Sequence, residues 1–335
     1  MAEHDWVDGS NPGIQPVSEG VYGGAQPAVR HELRPLTTGE ILDRTFFLYK
    51  SDFWLYVGLA SIAAAVNVLT AIVRLGYLHL RGIPETSPKA VLAGSILSVV
   101  GAVVYFAAYS VTHAATVSAV SSIYLGESTS MGKAFSAVKG HWLRYCLIAL
   151  WQSWSAGWAF VLFLLPVVIL PMMGMKGLGV VAASGVLVLL SFGGVAYGVI
   201  AYIRNSLAIP AAVMEDLDVR RAIRRSKQLV AGRKARIFLL LLLLFALYLV
   251  AGVLQMPFAL LLLRSRSAEH IIEQSISLLV AFLCSSLIGP VASIALTLFY
   301  FDERVRKEAF DIEFLMNKMS PGSGAATNDA TAEMA

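Results

Sequence analysis

Three times along the chain a short amphipathic, partly cationic segment gives way to a long apolar run that turns back after a brief loop. The short segments are Thr37 to Asp52, Ser128 to Arg144 and Asp216 to Arg236. Each leads into a stretch too long and too apolar for the core helix of a soluble domain. The pattern therefore predicts three cytoplasmic interfacial amphipathic helices, each introducing a transmembrane hairpin. The fold class that follows is all-α: a polytopic membrane helical bundle of six transmembrane helices in a pseudo-threefold hairpin repeat.

The predicted spans cover about 53–73, 90–123, 145–170, 177–202, 237–263 and 276–301. About 20 residues cross a hydrocarbon core at 1.5 Å per residue, so the 34-residue run from Ala90 to Ile123 is longer than a crossing needs. From Ser110 onward it mixes Thr112, His113, Thr116, Ser118, Ser121 and Ser122 with apolar residues, which predicts a partly solvated continuation of the helix. Arg204 to Met214, holding Asn205 and Pro210, is likewise expected to leave the bilayer after the fourth span.

In the first short segment Thr37 and Glu40 have capping-box spacing, and Ile41, Leu42, Thr45, Phe46 and Tyr49 recur at helical intervals. The middle segment pairs an apolar stripe (Met131, Ala134, Phe135, Val138) with Lys133, Lys139, His141 and Arg144. In the third, Asp216 or Asp218 can cap a helix whose Val219, Ala222, Ile223 and Val230 share a face. Arg220, Arg221, Arg224, Arg225 and Lys227 populate the remainder of that helix. The three segments share a pattern rather than a sequence, and duplication and common membrane constraints account for it equally.

Composition agrees with the pattern: only 14% of the 335 residues are charged and 57% are hydrophobic, with a mean hydropathy of +0.69. Soluble domains carry roughly 25% charged residues. Residues 1–35 and 316–335 are rich in Gly, Pro and small polar residues and are predicted to be disordered tails around a membrane domain at 36–315. No cleaved signal is expected, because residues 1–35 lack a basic stretch followed by an apolar one. Lys and Arg number 20 in the tails and the loops on their side, against 6 in the opposite loops. That asymmetry predicts an inner-membrane protein with both termini cytoplasmic.

Charge also suggests chemistry. An Arg-rich amphipathic helix at a membrane surface binds anionic headgroups at about 1 kcal/mol per basic residue. The same residues would also hold a loop in the cytoplasm whatever they touch. The C-terminal exit, where Phe301, Val305 and Ile312 lie near one side and Glu303 and Lys307 form an (i, i+4) pair, is expected to continue the sixth span as a helix. Its charges can pair with Arg220 to Lys227, locking cytoplasmic helices together, or with phospholipid.

Catalytic constellations are not found. His31 and Glu32 begin a metalloprotease pattern, but Pro35 stands where the second His belongs. Gly177, Gly179 and Ala182 have a dinucleotide spacing without a preceding strand and are expected instead to be close-packing positions. Gly194 and Gly198, spaced as GxxxG, are expected to be close-packing positions. Cys146 and Cys284 fall in apolar runs and imply no disulfide framework. No cofactor, metal or nucleic acid is expected.

Polar groups inside spans mark candidate sites because burial in lipid is costly. Asn67, Gln152, Ser153, Ser155 and Gln255 qualify; an interhelical hydrogen bond is the simpler role for each. Among Trp142, Trp151, Trp154 and Trp158, the first is expected to anchor at the interface and the others to pack.

The segments GEILDRTFFLYKSDFW, VMEDLDVRRAIRRSKQLVAG and YFDERVRKEAFDIEFL resemble recurring segments of a group of uncharacterised prokaryotic membrane proteins. That group is similar to the membrane domain attached to some glycerophosphoryl diester phosphodiesterases. The resemblance covers the layout of residues 36–315 and implies the same kind of membrane architecture. The enzyme's soluble barrel, with its metal-binding Glu and His residues, has no counterpart, so neither phosphodiester hydrolysis nor any functional residue carries over.

The sequence thus predicts a non-catalytic membrane scaffold or accessory subunit touching headgroups through Arg220, Arg221, Arg224, Arg225 and Lys227. Its expected partners are membrane lipids, with a membrane-protein partner or a second copy as candidates. The alternative is a transporter or permease subunit for a lipid-like or amphipathic substrate, with a cavity lined by Asn67, Gln152, Ser155 and Gln255.

Overall fold

The computed structural model describes residues 35–80, 87–174, 177–264, 270–309 and 316. The predicted tails apart from Pro35 and Met316, and also Ile312, Arg81, Lys176 and Arg266, lie outside the described residues. Among those described there are ten helices and no strand.

The short helices are α1 (Thr38–Ser51), α4 (Met131–Lys139), α7 (Ala208–Met214) and α8 (Val219–Val230). The long ones are α2 (Phe53–Leu80), α3 (Pro88–Tyr124), α5 (Trp142–Met172), α6 (Leu178–Asn205), α9 (Lys234–Arg264) and α10 (His270–Glu308). All six long helices carry segments apolar and long enough to cross a bilayer. Short helix and long hairpin alternate three times, with α7 inserted before the third unit. The chain is a multi-pass integral membrane protein of six apolar helices.

The helices pair as α2 with α3, α5 with α6, and α9 with α10. α10 also packs on α1, α2 and α3, while α3 reaches α5. The hydrophobic core gathers where the short helices meet: Tyr56, Tyr145, Ile148, Leu207, Ile237, Phe299 and Tyr300 are essentially inaccessible. Far from that end, residues such as Val99, Leu165, Leu189 and Val253 are exposed. So large an apolar surface is covered in lipid, where helices suit because they satisfy their own backbone groups.

Local chemistry shapes the elements. At α1 the capping box forms: the Glu40 N–H donates to Thr37 Oγ1 at 3.2 Å and the Thr37 N–H donates to Glu40 Oε2 at 2.7 Å. Ile41, Thr45 and Leu48 turn inward, leaving Phe46 and Phe47 more than half exposed. At α8, Asp218 takes the N-cap position without a side-chain bond. Between α5 and α6 the expected close packing is present: a Cβ added at Gly198 would stand 2.2 Å from the Ala156 carbonyl oxygen, and one at Gly194 about 3.0 Å from Ala159 and Phe160 backbone.

Three expectations are corrected. The stretch from Ser110 is not a solvated continuation: Ser110, Thr112, Thr116 and Ser121 are among the buried polar residues. Their hydroxyls return hydrogen bonds to carbonyls of their own helix, as Ser110 does to Phe106 and Thr116 to Thr112. Small side chains satisfied in this way let α3 approach its neighbours. Gly177 and Gly179 are not close-packing positions, since a Cβ added at either would meet nothing within 4 Å; further along, α6 stops at Asn205 and the chain leads into α7, buried between α3, α5, α8 and α10. Finally, Trp151, Trp154 and Trp158 do not pack inside but are exposed. α5 turns its Ala156 and Ala159 side to the glycines of α6, which leaves the tryptophans facing outward, Trp158 meeting Tyr197 edge-on at 5.6 Å.

Candidate functional site

The charges of the short-helix end separate into an interior set and an exposed set. In the interior set α10 supplies Asp302 and Glu303, both buried. Asp302 accepts hydrogen bonds from the Leu36 N–H at 2.6 Å, from Arg236 Nη1 at 2.5 Å and from Arg306 Nε at 3.0 Å. The Leu36 carbonyl in turn accepts from Arg236 and Arg306. One buried carboxylate and two guanidiniums thus clamp the backbone just before α1, satisfying both polar groups of Leu36. Glu303 has no hydrogen-bond partner and sits at ion-pair distance from Arg233 (3.5 Å), Arg236 (3.7 Å) and Lys307 (3.9 Å).

A second interior cluster joins α8 to α10. Arg225 Nε donates to both oxygens of Glu215 at 2.9 Å, and its terminal nitrogens reach Glu308 at 2.5 and 2.6 Å. Tyr300 donates its hydroxyl to Glu215 at 2.6 Å. Hydrogen bonding to Glu308, then to Glu215, holds the Arg225 guanidinium well above its usual range. Lys307 donates to the carbonyls of Gln228, Leu229 and Ala231, capping the C-terminus of α8 where its dipole is negative. Across the collar, Arg144 bonds Asp216 at 2.8 Å and holds its carboxyl below the ordinary range by that hydrogen bond.

The predicted headgroup residues therefore part company. Arg225 is half-buried and engaged by two carboxylates. Arg220, Arg221, Arg224 and Lys227 are exposed. Of these, Arg221 alone has a carboxylate within ion-pair distance among the described residues, Asp218 at 3.9 Å, with both side chains about three-quarters exposed. The expected pairing of the C-terminal exit with the Arg220 to Lys227 stretch is present in Arg225 and Glu308; which of the five cations is engaged was not legible, since the partners of Arg225 stand 10 and 83 positions away.

The residues proposed to line a cavity also part. Gln152 donates to the Asn205 carbonyl at 2.6 Å and Asn205 donates to Ser155 Oγ at 3.0 Å, so this trio ties α5 to α6. Gln255 bonds back to Ala251 on its own helix. Asn67 does line a cavity, of about 300 Å³ between α2 and α3, together with Thr70, Arg74, Ser98 and Tyr105.

A second cavity, of about 110 Å³, shares Tyr105 and continues between α2, α3, α9 and α10. Its polar lining includes Tyr109, His113, Tyr248 and Ser293. Tyr105, Tyr109 and His113 stack at successive four-residue steps with ring centroids 6.2 and 6.0 Å apart, and His113 Nδ1 lies 2.5 Å from Ser293 Oγ. Sequence reading placed His113 at the emergence of the span; the four-residue spacing of the three rings was the available signal for a cavity wall. Among the described residues no His, Cys, Asp and Glu side chains gather as a metal site requires.

Comparison with known proteins gives one match: the model of a family described as Domain of unknown function (DUF8558) fits residues 83–320. No curated protein and no solved structure matches the chain.

Proposed function

The chain belongs to the DUF8558 family, and for this member we propose a non-catalytic role as a scaffold or accessory subunit of the cell inner membrane. In this reading both termini are cytoplasmic, and the collar of short helices holds anionic lipid headgroups. The observation that carries it is the partition of cations on α8. Arg225 is engaged internally, while Arg220, Arg221, Arg224 and Lys227 are left exposed on one small helix whose other face is buried. Exposed Phe46, Phe47, Trp54 and Trp142 near the same short helices suit the boundary between headgroups and acyl chains. The charge asymmetry of the loops supports the orientation.

The test is native mass spectrometry of the purified full chain extracted from mixed bilayers, counting retained phosphatidylglycerol against phosphatidylcholine. At about 1 kcal/mol per basic residue, replacing the four exposed cations with Gln should weaken anionic-lipid retention by up to about a thousand-fold. Unchanged retention in a correctly inserted variant would remove the headgroup mechanism. The permease alternative draws support from Asn67 alone among its four residues, because Gln152, Ser155 and Gln255 are held in hydrogen bonds away from either cavity.

A further inference from the structure

The two cavities adjoin at Tyr105, which lines both, and together they mark one groove along α2 and α3. On α2 its wall runs Ala60, Ala63, Ala64, Asn67, Thr70 and Arg74, a single helical stripe at three- and four-residue steps. On α3 the facing stripe runs from Ser98 through Ala102 and Tyr105 to His113. From Arg74 to Ala60 the groove follows 14 residues of helix, about 21 Å at 1.5 Å per residue, against a hydrocarbon core about 30 Å thick.

Its ends differ in chemistry. At the end remote from the collar stands Arg74, the one charged side chain lining either cavity, with no carboxylate within ion-pair distance among the described residues. Among the described residues the exposed Asn67 amide and Ser98 hydroxyl make no hydrogen bond, whereas Ser95 and Thr70 beside them bond back to their helices. Three groups able to donate, one of them cationic, therefore line one cavity with no acceptor bonded to them among the described residues. Beyond Tyr105 lies the smaller cavity of about 110 Å³, walled by alanines, Gly289, Pro290 and tyrosine rings, with the hydroxyls of Thr112, Thr116, Ser285 and Ser293 and the His113 ring also on its wall. A larger cavity holding the cation, joined at Tyr105 to a smaller one that is mostly carbon-walled, suits an occupant with a polar head and one slender chain.

We propose that the α2–α3 groove binds a single-chain amphiphile with an acidic headgroup, the headgroup on Arg74, Asn67 and Ser98 and the chain lying past Tyr105 toward His113. The small volume past Tyr105, about 110 Å³, suits one chain rather than two. The site is separate from the α8 cations and does not depend on them.

The experiment uses the full chain in phosphatidylcholine nanodiscs with a palmitic acid probe bearing a terminal diazirine, mapping photo-crosslinks by peptide mass spectrometry. Crosslinks should concentrate on α2 and α3 around Ala60, Ala64 and Tyr109, and the methyl ester of the probe should label at least tenfold less. Arg74→Gln should reduce labelling at least tenfold. Ala102→Trp, at an exposed wall position, should block the groove without repacking the core. Excess palmitate and lysophosphatidate separate carboxylate from phosphate headgroups: displacement by either supports the site, and displacement by neither overturns it. Equal labelling by acid and ester, or labelling spread evenly over the lipid-facing helices, also overturns it. Replacing the four α8 cations should leave the crosslinks unchanged, so this site and the collar stand or fall separately.

Discussion

Replacing Arg236 with Met is expected to be among the most damaging single changes at the collar. The side chain is 18% exposed; it donates to the fully buried Asp302 carboxylate and to the Leu36 carbonyl, and lies 3.7 Å from Glu303. Methionine fills much of the volume but supplies no donor. Asp302 would retain Arg306 and the Leu36 N–H, while Glu303, already without a hydrogen bond, would lose one of three nearby cations. Removing one partner from a buried ion pair costs about 3–5 kcal/mol, because the remaining charge stays in a poorly solvating place. Asp302→Leu on its own strands Arg236, Arg306 and the Leu36 N–H, so the double variant with Arg236→Met should lose less than the sum of the two single losses. The coupling expected from residues in one network is about 0.5–3 kcal/mol. Denaturant unfolding in mild detergent, followed by tryptophan fluorescence, reads all the variants of the cycle. A loss below about 1 kcal/mol for Arg236→Met, or strict additivity in the cycle, would refute the view that this network joins α9, α10 and the start of α1. Lys227→Ala is the contrast, an exposed change expected within about 0.5 kcal/mol of the parent.

Gly198→Ala places a Cβ 2.2 Å from the Ala156 carbonyl oxygen, so α5 and α6 must separate. A cost of about 1–3 kcal/mol is expected in the same unfolding assay, against little change for Gly193→Ala, whose Cβ would meet nothing within 4 Å. For Asp216, the depressed folded-state pKa means that its pairing with Arg144 stabilises above the ordinary value of 3.8 and is lost as pH falls through the lower folded value. Acid unfolding of parent and Asp216→Asn should therefore differ at neutral pH and down to the ordinary value of 3.8, and converge only once the pH has fallen below the depressed folded value; convergence already above 3.8 would contradict the assignment.

Much of the fold was legible because hydropathy and length are local properties. Each predicted span falls on one long helix, and the Thr37–Glu40 cap forms as its spacing implies. Polarity in the second span misled, since Ser110, Thr112 and Thr116 look wet in sequence yet satisfy themselves on their own helix. The candidate sites were less legible because their content is long-range. Arg225 stands in sequence with its α8 neighbours, and the approach of Glu215 and Glu308 sets it apart. The Gln152–Asn205–Ser155 trio likewise depends on how α5 meets α6, which glycine positions suggest but do not orient. Arg74 stands just past the first predicted span, at 53–73; that it borders a cavity with Asn67 emerges only when α3 is set beside α2.

The clamp on Leu36 has a consequence for biogenesis. The groups that hold this residue, Asp302 and Arg306, lie 266 and 270 positions further along the chain. At 5–20 residues per second of synthesis, Asp302 follows Leu36 by roughly 13–50 s. For that interval α1 is made but has no α10 to dock on, so the ring that joins the start of the chain to its end closes only after the last hairpin has been inserted. The first helix in sequence is thus among the last to reach its place, and a ribosome stalled before residue 302 would leave it undocked.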